Sequence, residues 1–272
     1  VDEQRRPYQQ CLGEQVRISC GAHPRCVPKI SLRPNTRSPM QTLRYSYNAV
    51  VVGSNGGIGG ALFNALKIDA RCNVVQGVDR ITFPQFELAN ENSIVNVAED
   101  LRARVECIDL LIVATGILSL SGSRPEKSLS ALDGESMAQI FRVNAIGPAL
   151  LLKHFSPLIR KQSKAVVAVL SARVGSISDN RLGGWISYRA SKAALNQIVK
   201  TASIELARSR PESVCVALHP GTVDTRLSRP FTSHRIKLEP AAAATTLLNV
   251  IDHMTAAQTG TFLDYEGHSV GW

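Results

Sequence analysis

Aromatic residues are scarce in this chain of 272 residues: Phe, Tyr and Trp together make up 5%. The net charge is +9, yet no basic run accompanies it and few rings are available to interleave with bases, so a nucleic-acid surface is not expected. Long hydrophobic runs are missing too. The longest, such as Leu110-Leu111-Ile112-Val113-Ala114 and Val166-Val167-Ala168-Val169-Leu170, fall far short of the ~20 residues of a membrane span, which argues against a membrane partner. Six cysteines at positions 11, 20, 26, 72, 107 and 215 form no C-x-x-C pair, and the histidines show no ligand spacing. No metal centre is expected, and the thiols read as reduced cysteines of a cytoplasmic protein.

What is present divides unevenly. Residues 1–39 hold five of the 13 prolines and three of the six cysteines, with no period of 2 or 3.6. The first methionine is Met40. Residues 1–44 are therefore expected to be an irregular basic extension, disordered or foreign to the native chain; a targeting segment is the rival reading, but the apolar core of one is lacking. From 45 onward apolar strands and helical stretches alternate. Strands are expected near 48–53, 73–79, 109–114, 165–171, 213–218 and 261–264, and helices near 57–68, 93–105, 134–153, 188–208 and 240–258. Strands so apolar are covered on both faces. This predicts one α/β Rossmann-type domain over 45–272, a doubly wound parallel sheet of about seven strands with helices on both faces.

The stretch VVGSNGGIGG, Val51 to Gly60, joins the first strand to the first helix. Glycines there let backbone N–H groups approach a ligand, and the positive helix end favours an anion such as a pyrophosphate. The spacing alone is ambiguous: Gly53, Gly57 and Gly59 fit G-x-x-x-G-x-G, while Gly53, Gly56 and Gly59 fit G-x-x-G-x-x-G. Further along, Tyr188-Arg189-Ala190-Ser191-Lys192 forms Y-x-x-x-K at the start of an expected helix. Residues four apart share a face, so the phenol and the ammonium are neighbours. A lysine charge beside it is expected to lower the phenol's pKa from ~10 and suit it to the proton exchange that accompanies hydride transfer.

The glycine turn, the Y-x-x-x-K within GSISDN…GGWISYRASKAALN and the later HPGTVDT together resemble the short-chain dehydrogenase/reductase family, most of all its C-factor-like and sniffer-type carbonyl reductase branch. The resemblance covers roughly 47–272. It implies that Gly53, Gly57 and Gly59 form the cradle, with Ser54, Asn55 and Ile58 completing the turn. It makes Tyr188 the acid/base, Lys192 its helper and a ligand of the nicotinamide ribose, and Asn144 of FRVNAIGP the residue that orders a helix and a proton-relaying water. Pro220, Gly221, Val223 and Thr225 would meet the nicotinamide carboxamide. Gly116, with Ala114, would approach the adenine ribose, and Glu87-Leu88 would line the adenine.

Three departures stand out. Where the family has Ser-Ser, this chain has Ser171-Ala172, so the hydroxyl that polarises the carbonyl must come from Ser171, the preferred candidate, or from Ser176. The family's Asn-Asn-Ala-Gly is replaced by Val113-Ala114-Thr115-Gly116. At the end of the second strand stand both Asp79, which suits NAD, and Arg80, which suits NADP, with a narrow lean to NADP. The expectation is an NAD(P)-dependent oxidoreductase acting on a carbonyl or alcohol small molecule, as a homodimer or homotetramer. The alternative is a nucleotide-sensing or signalling protein with little turnover.

Overall fold

The computed structural model describes residues 38–120, 123–231 and 237–272. Most of the expected extension thus lies outside the described residues. The valine-rich runs form strands β1 (Tyr47–Val52), β2 (Cys72–Val78), β3 (Leu110–Val113), β4 (Ala165–Leu170), β5 (Ser213–His219) and β6 (Phe262–Asp264). Between them lie helices α1 (Gly57–Lys67), α2 (Glu91–Arg104), α3 (Gly134–Phe141), α4 (Gly147–Phe155), α5 (Ile186–Ser209) and α6 (Pro240–His253). Local chemistry marks several starts: Asn90 caps α2, Asp133 caps α3, and Pro240 opens α6 with a ring already set for helical φ.

All strands pair in parallel, in the order β2-β1-β3-β4-β5-β6. Period-2 alternation splits the core into two layers. Val50, Val52, Leu111, Val113, Val167 and Val169 face the layer packed by α2, α4 and α5. Ala49, Val51, Leu110, Ile112, Val166 and Ala168 face the layer packed by α1 and α6. The chain runs from β1 outward to β2, then crosses back to β3 on the other side of β1. That reversal opens a crevice at the carboxyl ends of β1 and β3, where such sheets bind ligands.

Among the described residues the sheet has six strands, against the expected about seven. After β2 the chain is drawn into turns: the Asp79 carboxylate accepts from the N–H groups of Ile81 (2.8 Å) and Thr82 (2.9 Å), and Phe83 N–H reaches Asp79 O (2.8 Å). The packed unit includes the residues from Ser38 onward. Met40 and Leu43 are buried in the α1/α6 layer, and Thr42 N–H donates to Asp252 Oδ1 at 2.8 Å. Burying those two side chains is worth about 3–6 kcal/mol before the cost of ordering the segment. Their anchoring is tertiary, so no local periodicity announces it. No helix among the described residues is long and apolar enough to cross a membrane.

Candidate active site

The crevice is lined first by the glycine turn. Gly53 has φ +85°, and a Cβ there would stand 2.8 Å from the Ala114 carbonyl oxygen. A Cβ on Gly59 would stand 2.2 Å from Gly53 O, and one on Gly57 would stand 2.6 Å from the Thr225 methyl. Side chains are thus excluded where the turn, the tail of β3 and the loop after β5 converge. No side chain caps the first turn of α1, which leaves its amides open to an anion. Asn55 is exposed at the tip of the turn and Ile58 packs onto the α1/α6 layer.

At the end of β2 the two residues bearing on cofactor choice have different surroundings. Asp79 is engaged: Ser54 Oγ donates to its Oδ2, and the Ile81 and Thr82 amides hold its Oδ1. Partial burial pushes its carboxyl up, but the Ser54 hydroxyl and those amides outweigh it and hold it below the usual range. Arg80 is exposed, with no hydrogen bond or ion pair to the described residues. Glu87 is exposed beside the start of α2, and Leu88 packs on Gly147 of α4.

The tail of β3, Ala114-Thr115-Gly116, connects this turn to the second cluster. A Cβ at Gly116 would lie 3.2 Å from Lys192 Nζ and 3.3 Å from Asn144 Oδ1. Asn144 is fully buried in a π-helical turn, Arg142–Ile146, that interrupts the single helix expected over 134–153. Such turns turn a side chain out of helical register. Its Oδ1 accepts from Ile117 N–H (2.8 Å), and its Nδ2 donates to Ile117 O (2.8 Å) and to Ser191 Oγ (3.1 Å). Asn144 therefore clips the loop after β3 to α5.

Tyr188 and Lys192 lie one turn apart on α5, the tyrosine half-buried and the lysine buried. Lys192 is buried, and its Nζ donates to Leu170 O at 3.0 Å. The Tyr188 phenol has no hydrogen-bond partner among the described residues. Burial pushes the phenol up to about 12 and the lysine down to about 8. Desolvation of each charged form sets these directions, and the ammonium is directed at a backbone carbonyl.

Strand alternation carries Ser171 inward, where its Oγ donates to Asn196 Oδ1 at 2.6 Å. Ser176 is buried against its own turn, contacting Ser178 Oγ (3.2 Å) and accepting from Asp179 N–H (3.2 Å). Both hydroxyls are thus engaged by protein partners. After β5, Gly221 (φ +78°) turns the chain from Pro220, Val223 bridges to Leu238, and Thr225 reaches the glycine turn. The Val223 N–H has no protein acceptor among the described residues.

Two observations test whether a dinucleotide suits these residues. One is the first turn of α1 beside the glycines, whose amides no side chain caps. The other is Thr115 Oγ1, buried without a partner in the segment between the glycine turn and Lys192. Both fit the group. Thr115 was not singled out from sequence, nor was Ser191, although it lies inside Y-x-x-x-K; its seryl hydroxyl three residues after the tyrosine was the available signal. At the end of β6, Asp264, Glu266 and His268 bring ligand atoms within 4.8 Å of one another, a grouping the sequence reading of no metal did not foresee. Arg173 Nη2, 3.4 Å from Asp264 Oδ2, already supplies positive charge there.

A family model described as short chain dehydrogenase matches residues 47–236. The chain is 36% identical over 166 residues to the C-signal protein of Myxococcus xanthus, which covers 61% of this chain and 93% of that protein. It is 28% identical over 189 residues to 1-hydroxy-2-glutathionyl-2-methyl-3-butene dehydrogenase of Rhodococcus sp. (strain AD45), covering 70% of this chain and 79% of that one. Among solved structures, the carbonyl reductase Sniffer of D. melanogaster superposes with TM-score 0.71 at 21% identity, covering 84% of this chain and 100% of that chain. The NADPH-bound carbonyl reductase from chicken fatty liver gives TM-score 0.74 at 24% identity, covering 85% and 97%. At these identities the two structures speak to the fold.

Proposed function

The chain belongs to the short-chain dehydrogenase family, and we propose that it works as a carbonyl reductase preferring NADP(H) to NAD(H). It is an NAD(P)-dependent oxidoreductase with the tyrosine and lysine that accompany hydride transfer in this family. The observation that carries the reading is the Tyr188 phenol: without a hydrogen-bond partner among the described residues, and one turn from Lys192, whose Nζ meets the β3 tail at Gly116. When bound, the nicotinamide cofactor supplies or takes up the hydride at the substrate carbon. Tyr188 Oη donates the accompanying proton to the carbonyl oxygen, and burial keeps that proton in place at neutral pH.

The other residues hold and orient. Backbone groups of Gly53, Ser54, Asn55, Gly57, Ile58 and Gly59 take the pyrophosphate at the start of α1. Ala114, Thr115 and Gly116 take the adenine-side ribose, Lys192 the nicotinamide ribose, and Pro220, Gly221, Val223 and Thr225 the carboxamide. Glu87 and Leu88 lie toward the adenine. Preference for NADP(H) is supported by the free guanidinium of Arg80 and by the engagement of Asp79 with Ser54 and two amides. Exposed Ile146, in the π turn before α4, and Ile204 of α5 support assembly into a homodimer or homotetramer through these two elements. Free Cys72, Cys107 and Cys215 support a cytoplasmic location.

The test is a screen of aldehydes, ketones and quinones with NADPH and NADH. Turnover should vanish in Tyr188→Phe while cofactor binding persists, and Arg80→Ala should weaken NADPH at least tenfold more than NADH. A second reading, nucleotide sensing with little turnover, is favoured by Ala172 and by the likeness to C-signal. Cofactor binding with no turnover on any panel member would favour it over reduction.

A further inference from the structure

Glu126 lies in the loop after β3 and is buried. Its carboxylate caps the start of α5: Ser187 Oγ donates to Oε1, and Ser187 N–H points to Oε2 at 3.4 Å. Its carbonyl oxygen accepts from Trp185 N–H. All three bonds act within three residues of Tyr188. The backbone just ahead of α5 is left-handed at three consecutive residues, Gly183 (φ +61°), Gly184 (φ +64°) and Trp185 (φ +52°). Glycine adopts this freely, whereas a bulky residue does so only when its surroundings impose it. Here Glu126 holds one side, and Arg189 Nε holds the other through Gly183 O (3.2 Å) and Gly184 O (2.9 Å).

The strained backbone sets the position of a ring. The Trp185 indole stands edge-on to Tyr188, with centroids 6.4 Å apart and planes at 68°, and edge-on to Phe231 at 5.8 Å and 71°. A right-handed residue 185 would aim its side chain elsewhere. We infer that Glu126 is a positioning residue whose work is to place Trp185, and that Trp185 is thereby specificity-determining: it makes the approach to Tyr188 aromatic and selects flat aryl aldehydes and ketones over short aliphatic ones. This deepens the reductase reading and rests on it. An aromatic contact of this kind adds attraction beyond the area it buries, enough for a preference of about three- to tenfold.

The chain has two tryptophans, so Trp272→Phe leaves Trp185 as the sole indole reporter. In that background Glu126→Ala should shift Trp185 emission to the red and raise its quenching by acrylamide. The ratio of kcat/KM for benzaldehyde over butanal, with NADPH, should fall about three- to tenfold, mainly through KM, with the NADPH Kd within twofold. Glu126→Gln should restore both readouts, since its amide oxygen still accepts from Ser187. Trp185→Ala should lower the ratio by the same factor, and adding Glu126→Ala to it should lower it no further. Should Glu126→Ala not fold, Ser187→Ala carries the same comparison. An unchanged ratio, or equal losses for both substrates with unaltered Trp185 emission, overturns the inference and leaves Glu126 a helix cap. If the parent protein turns over no carbonyl at all, the reductase reading fails with its specificity claim, and the emission measurements alone decide whether Glu126 places Trp185.

Discussion

Replacing Asn144 with alanine removes three hydrogen bonds from a fully buried side chain: two to the backbone of Ile117 at 2.8 Å and one to Ser191 Oγ at 3.1 Å. Each bond is worth about 1 kcal/mol net, and a stranded buried partner costs about 1–3 kcal/mol. Ile117 is half-buried, so water recovers part of what its amide and carbonyl lose. The loss should be about 3 kcal/mol. For a domain of this size that lowers Tm by roughly 6–12 °C, at ~2–4 °C per kcal/mol. Activity should fall further than stability implies, because the clip fixes both the β3 tail beside Lys192 and the α5 turn carrying Ser191. A misplacement of ~1 Å near the chemistry costs up to about 100-fold. Thermal melts by circular dichroism, paired with kcat below the melting range, make the measurement. Asn144→Asp sharpens it: Oδ1 can still accept from Ile117 N–H, but an oxygen then faces Ile117 O, and a carboxylate is buried. It should be at least as destabilised as the alanine variant. A Tm within about 2 °C of the parent and an undiminished kcat for Asn144→Ala would refute the clip.

Two more predictions follow from the same residues. Burial lowers Lys192 from an ordinary ~10.5 to about 8, so between those values the unfolded chain binds the extra proton. Stability relative to Lys192→Met should therefore rise, by up to about 3 kcal/mol, as pH climbs from 8 toward 10, and be lost as pH falls through 8; urea titrations at pH 7.5, 8.5 and 9.5 would read it, and a flat difference counts against burial as the cause. Ala172 is half-buried at the end of β4, at the place where the family carries its carbonyl-polarising serine. Ala172→Ser should raise kcat about tenfold, less than the ~100-fold or more that removal of an optimised donor costs. No gain in kcat would mean that residue 172 does not face the reacting oxygen.

What the sequence disclosed is what local pattern can carry. The six strands and their two faces follow from alternating apolar runs, and the glycine turn and Y-x-x-x-K are contiguous motifs with a steric or helical meaning. Residues whose role depends on a partner far along the chain were out of reach. Met40 and Leu43 look unremarkable until Asp252 ties Thr42 beside them. Glu126 bonds to residues about sixty positions away, and no period or motif marks it. Ser171 sets family analogy against strand alternation, and its hydroxyl is engaged by Asn196, a partner 25 positions on that no motif marks.

The same contest explains Tyr188 and Lys192. Their ordinary pKa values differ by only about half a unit, so a lysine beside a tyrosine in water could share charge with it in either direction. Burial penalises phenolate and ammonium alike, and the two values move apart, to about 12 for the phenol and about 8 for the amine. The pair is thereby biased toward a protonated tyrosine beside a lysine that gives up its proton readily. A phenol so held carries its proton at neutral pH, the state from which carbonyl reduction starts, whereas alcohol oxidation starts from the phenolate. Reductive kcat should accordingly hold through neutral pH, whereas the oxidative direction should need alkaline conditions to free a phenolate. An oxidative rate at pH 7 matching the reductive one, at saturating substrates, would mean that burial does not set the protonation of Tyr188 during turnover.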